Sequence, residues 1–278
     1  MTLRRTDRIW SGRCLLAACI GLAALAGLPG CAHQAAADHG ASSSADPVSA
    51  SGDTDLRRRA RIRLELAANY LQMGQMAIAL EEVRQALVTD PRYADAYHLR
   101  GLVYMAMADL PLAEDSLRRA QAMKPADPDI MHNYGWLQCL RQQYEQAHQQ
   151  FERALAVPTY AARSKTLMSQ GLCYQRAGRV ADAEKALLRA YEIDAGNPVV
   201  GYQLASILLA RGETKRAQFY IRRVNNGEFA NAESLWLGIK IERALGDSVA
   251  MHQLGDQLHK RFPEAKQTLA FERGAFDE

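Results

Sequence analysis

The side chains of this chain that could do chemistry are few. His98 and His132 stand 34 positions apart, and a metal held between them would need further ligands, yet no carboxylate or cysteine occupies a matching position. Cys139 and Cys173 have neither Cys-x-x-Cys nor histidine spacing around them, so they offer no zinc site. A Gly-x-Ser-x-Gly elbow, a phosphate-cradling glycine loop and a His-Glu-x-x-His helix are all lacking. The sequence therefore carries no catalytic arrangement, no metal site and no cofactor site. Charged residues such as Glu81, Glu82, Arg84, Arg118 and Arg119 read as solvated faces.

One cysteine has a chemical setting. Arg4, Arg5, Arg8 and Arg13 precede an apolar run from Leu15 to Leu28, which has the order of a secretory signal and is short for a bilayer span. Leu28-Pro29-Gly30-Cys31 follows and looks like the cleavage box of a bacterial lipoprotein, in which the cysteine is acylated and becomes the first residue; Pro29 is an uncommon choice there. Residues 1–30 are the expected signal, with Cys31 the lipidation site and membrane anchor. Ala32, where an Asp would favour the inner membrane, points to the outer membrane. The alternative is an ordinary signal that releases a soluble periplasmic chain. Residues 31–55 are rich in Ala, Ser, Asp and Gly without apolar period and read as a flexible tether, with a typical reach of about 27 Å.

Charge excludes one class of partner. The chain has 34 Lys and Arg against 31 Asp and Glu; losing the signal removes four arginines and one aspartate and leaves 30 of each sign. A balanced chain is not expected to bind nucleic acid, which needs basic excess over phosphate. Two cysteines, Cys139 and Cys173, remain beside Cys31. A disulfide is permitted in an oxidising compartment, but these two fall at different heights on neighbouring helices, and packing as small apolar residues is the expected state.

The elements that position any site follow from a period. Ala67, Gly101, Gly135, Gly171, Ala205 and Gly238 are spaced by 34, 34, 36, 34 and 33 residues. A second small series, Ala79, Ala113, Ala147, Ala183, Ala217 and Ala250, follows twelve places later, and Val83, Leu117, Phe151, Leu187, Ile221 and Leu254 come four places after that. Such a period means stacked helix-turn-helix units, with small residues letting paired helices approach and large ones filling the space between pairs. The expected fold is all-α: a right-handed superhelix of six units at 60–93, 94–127, 128–163, 164–197, 198–230 and 231–263. Residues 264–278 form a C-terminal cap and tail, with Leu269 and Phe271 packing on the last unit. Gly74, Gly178 and Gly212 fall at turns, and Asp90-Pro91, Lys124-Pro125 and Val157-Pro158 stop second helices. The 36-residue gap puts two extra residues near 157–163, either a longer turn or a bend in the array.

The spacing resembles the tetratricopeptide repeat, including an aromatic three places after the first small residue at Tyr70, Tyr104 and Tyr174. In such arrays first helices line a concave face. Leu64, His98, Leu102, Met105, His132, Trp136, Met168, Leu172 and Tyr202 are expected there, as an apolar and aromatic groove for an extended or helical peptide. The same side chains could instead pack on the next unit.

Asn133-Tyr134-Gly135-Trp136, the stretch from Glu233 to Arg243 with Gly246-Asp247, and Arg261-Phe262-Pro263 are similar to the tetratricopeptide lipoproteins of type IV pilus biogenesis and stability, the PilW/PilF group. His132 stands where that group would have a second Asn. The resemblance implies a non-catalytic outer-membrane pilotin that helps secretin subunits localise and assemble, with the secretin, or another pilus assembly protein, as partner. A periplasmic adaptor for cell-wall hydrolases or synthases is the alternative on the same scaffold.

Overall fold

The computed structural model describes residues 55–276, so the signal, Cys31 and most of the tether lie outside it. Among the described residues there are thirteen helices and no strand. Six antiparallel pairs follow in chain order: α1 (Asp55–Gln72) with α2 (Met76–Thr89), α3 (Ala94–Ala106) with α4 (Leu110–Met123), and α5 (Pro128–Leu140) with α6 (Tyr144–Leu155). The next are α7 (Arg163–Arg176) with α8 (Val180–Ile193), α9 (Pro198–Ala210) with α10 (Thr214–Asn225), and α11 (Ala232–Leu245) with α12 (Ser248–Arg261). The short α13 (Lys266–Glu272) ends the series. The first helix opens at Asp55, ahead of the expected start at Ala60.

Local sequence sets the helix ends. Asp127 and Asn197 accept hydrogen bonds from the first backbone N–H groups of α5 and α9, each followed by proline at the first helical position. Asn231 and Ser234 form a reciprocal capping box at α11. Between the helices of every pair one residue takes positive φ: Gly74, Ala108, Gln142, Gly178, Gly212 and Gly246. The turn geometry thus repeats six times, although only four units supply the glycine that makes it cheap.

Packing follows the two small series. A Cβ built on Gly101 would lie 2.6 Å from Cγ of Leu117, so the missing side chain is what lets α4 seat its leucine against α3. Val83, Leu117, Phe151, Leu187 and Ile221 are fully buried, while Leu254 near the open end is half-buried. At that end α13 covers α11 and α12. Phe271 packs there with Trp236 and Leu258, but Leu269, expected to pack, is 49% exposed; Ala270 takes the buried place, because only one face of so short a helix can point inward.

Alternate first helices touch, α1 with α3, α3 with α5, α5 with α7 and α9 with α11, whereas contacts between alternate second helices are slight or lacking. A stack that is closer-packed along its first helices curves toward them, making that side the concave face.

The cysteines correct the sequence reading. Cys139 and Cys173 are joined by a disulfide from α5 to α7, with Cα atoms 5.8 Å apart. Aligned on Gly135 and Gly171 the two differ by two positions, which suggested different heights. In the structure α7 is slid by those two residues against α5. His132 and Thr166, displaced by the same two positions in that alignment, also meet across this interface. The extra length lies in the loop 156–162, and its Tyr160 turns inward, 6% exposed, against Met131 and Ala154.

Candidate functional site

The side chains expected in the groove divide by burial. Leu64, His98, Leu102, Met105, Trp136, Met168, Leu172 and Tyr202 are half-buried on α1, α3, α5, α7 and α9. They present one side to solvent while the other packs inward: Leu64 against the cluster around Val83, Met105 against Leu117 and Leu137, and Met168 against Leu187 and Leu204. Trp136 lies on the Phe151 and disulfide cluster, with the Arg176 guanidinium 4.8 Å above its ring. Packing on the next unit thus fixes the face that solvent sees.

His132 departs from the expectation. It is 3% exposed and presents no groove surface. Its Nδ1 lies 2.9 Å from Oγ1 of Thr166, which in turn lies 2.8 Å from the Tyr160 hydroxyl. The hydrogen-bond chain can run from the Tyr160 hydroxyl through Thr166 to an imidazole nitrogen, or from the imidazole N–H through Thr166 to Tyr160. Burial, with Lys165 and His98 nearby, pushes the His132 pKa down to about 4. His98 is also lowered by burial and bonds Asn133 Nδ2 through Nε2 at 2.7 Å. The two rings are thus separately occupied in hydrogen bonds, and no group of three or more His, Cys, Asp or Glu among the described residues could hold a metal.

This inner face belongs to a known kind of array. The tetratricopeptide-repeat family matches residues 64–128 and 141–198. The type IV pilus assembly protein PilF of Pseudomonas aeruginosa is 28% identical over 218 residues, 78% of this chain and 86% of that protein. The chain is a tetratricopeptide-repeat protein homologous to PilF. A crystal structure of PilW, described as a widely conserved type IV pilus biogenesis factor, superposes with a TM-score of 0.69 at 28% identity, covering 76% of this chain and 97% of that one. The structure of Pseudomonas aeruginosa PilF gives 0.70 at 25% identity, covering 80% and 100%.

Two features of the tetratricopeptide array were not read from the sequence. The first pair leaves Ile62 and Leu66 of α1 exposed around a recess that also includes Arg59, Arg63 and Thr89, on a side that no other described unit covers. At the other end Tyr202 opens onto a larger pocket, shared with Leu209 of α9, Trp236, Leu237 and Lys240 of α11, and the inner face of α13. The signal for it lay in the α11 stripe Glu233, Trp236, Leu237 and Lys240, spaced i, i+3, i+4 and i+7 on one helical face.

Proposed function

We propose that this protein is an outer-membrane lipoprotein of type IV pilus biogenesis that acts as a pilotin, supporting secretin localisation and multimer assembly through its groove. What carries the reading is homology that runs through nearly the whole of PilF and PilW rather than through a few generic repeats. Lipid at Cys31 supplies the anchor, the tether allows search, and Leu64, His98, Leu102, Met105, Trp136, Met168, Leu172 and Tyr202 offer the binding surface. No step of this role asks for chemistry, and a hydrolase screen of the purified chain is expected to return nothing.

The test is deletion in the parent organism. Loss of the stable secretin multimer and of surface pili is expected, and normal levels of both would overturn the proposal. A Cys31→Ala chain separates the anchor from the array: it should remain folded but leave the outer-membrane fraction. Photo-crosslinking from positions 136 and 105 then identifies the partner. Capture of cell-wall hydrolases or synthases in place of secretin would favour the adaptor reading.

A further inference from the structure

The C-terminal cap does not finish the array; it leaves a pocket. The helix α13 meets α11 and α12 as a seventh first helix would, but it runs for seven residues where α3, α5 and α9 run for thirteen. Part of the inner face of α11 therefore stays uncovered, and a cavity of about 680 Å³ opens between α9, α11 and α13. Each helix contributes one stripe to it: Tyr202 and Leu209 from α9, Trp236 and Leu237 from α11, and Ala270 from α13. This apolar floor is large enough for an aromatic or leucine side chain.

Among the described residues that line the cavity, the cations are Lys240, Lys266 and Arg273 and the carboxylate is Glu233. The chain after residue 30 is balanced overall, so the local excess is a property of this place and not of the surface at large. Lys266 and Arg273 are seven residues apart along α13, roughly 10 Å at the helical rise per residue. In a peptide of polyproline II conformation, side chains three residues apart lie on one face and are separated by about 9 Å.

We propose that this pocket docks a short acidic peptide segment, in which carboxylates three residues apart reach Lys266 and Arg273 while a large apolar side chain between them enters the floor formed by Leu209, Trp236 and Leu237. A peptide fits better than an anionic membrane surface. The site is recessed on the concave face, and Glu233 on the same stripe repels a continuous sheet of negative charge while accepting a backbone N–H. The site goes beyond the pilus reading and is judged separately, since its loss is read in binding and that reading is judged by a deletion phenotype.

The test uses the full chain in detergent and fluorescein-labelled acetyl-Asp-Leu-Phe-Glu-Leu, read by anisotropy, with acetyl-Lys-Leu-Phe-Lys-Leu as the charge-reversed probe. The acidic probe is expected to bind saturably, at least tenfold more tightly than the basic one, and to weaken as salt rises. Both Lys266 and Arg273 are exposed, so the double variant Lys266→Glu with Arg273→Glu should keep its helical circular dichroism, lose at least tenfold in affinity for the acidic probe and gain affinity for the basic one. Three results would overturn the proposal: no saturable binding, equal binding of the two probes, or an unchanged affinity in the folded double variant. Displacement of the probe by phosphatidylglycerol at lower concentration than by unlabelled peptide would assign the pocket to anionic lipid and overturn it as well.

Discussion

His132 of α5 and Thr166 of α7 meet 2.9 Å apart in the interior, and the Tyr160 hydroxyl completes the chain from the longest loop between pairs. The pair ties the irregular fourth unit to the third, and burial keeps the imidazole neutral there. Below the ordinary histidine pKa the unfolded chain takes up a proton that the folded chain, with His132 held to about 4, does not. Stability is therefore full above pH 6.5 and is lost as pH falls toward 4, by up to about 3 kcal/mol for this residue. His98 and His148 are lowered by burial too and act with the same sign. Urea unfolding at pH 7.5, 5.5 and 4.5 measures the slope. His132→Gln should flatten it, and an unchanged slope would show that His132 takes up its proton in the folded chain as it does in the unfolded one.

The disulfide offers a second test. Closing 34 residues of chain between Cys139 and Cys173 restricts the unfolded state by about 4 kcal/mol on the chain-entropy estimate. Reduction, or Cys139→Ser with Cys173→Ser, should lower the midpoint of unfolding by an amount of this order while leaving the helical spectrum intact. A free-thiol titration of the oxidised folded domain that finds both sulfhydryls reactive would contradict the bridge.

Gly101 and Leu117 can be examined as a pair. Replacing Gly101 with Val gains some helix propensity but places carbon where Leu117 Cγ already lies, and overpacking of this kind costs about 1–3 kcal/mol. Leu117→Ala alone should cost about 2–5 kcal/mol, as a fully buried leucine. The double variant should be less destabilised than the sum, because the cavity left by one change receives the side chain of the other. Additive losses would mean that the two helices do not meet at this point.

Two turns contain a residue that dislikes its conformation. Ala108 has φ of 60° and Gln142 has φ of 63°, where the other four units place glycine. Ala108→Gly and Gln142→Gly should each stabilise, by about 0.5–1 kcal/mol, as the strain of the left-handed conformation is relieved. Thermal melts of the two variants decide it, and a lower Tm in both would count against the assigned turn geometry.

Glu242 is a buried carboxylate, 1% exposed, held by Arg222 Nε at 2.8 Å and Gln218 Nε2 at 2.7 Å. Arg222→Ala leaves it without its cation and should cost about 3 kcal/mol, whereas Arg222→Met with Glu242→Leu removes both charges and should recover most of the loss. Equal stability of the single and double variants would show that water reaches the carboxylate.

The sequence by itself determined the scaffold. Ala or Gly on a first helix and a large apolar residue sixteen positions later lie within one helix pair, so their spacing alone fixes how the two helices close, and repeating it six times fixes the array. The lipidation proposed at Cys31 rests on a local signal of the same kind. What only the tertiary structure decided are the relations between pairs. The axial slide of α7 against α5 depends on how seven loop residues fold around Tyr160, and no residue type encodes it directly; hence Cys139 found Cys173, and His132 left the groove for Thr166. The C-terminal pocket has the same origin: its residues were visible in the sequence, but the space between them exists because α13 stops after seven residues and leaves a gap beside Trp236 and Lys240.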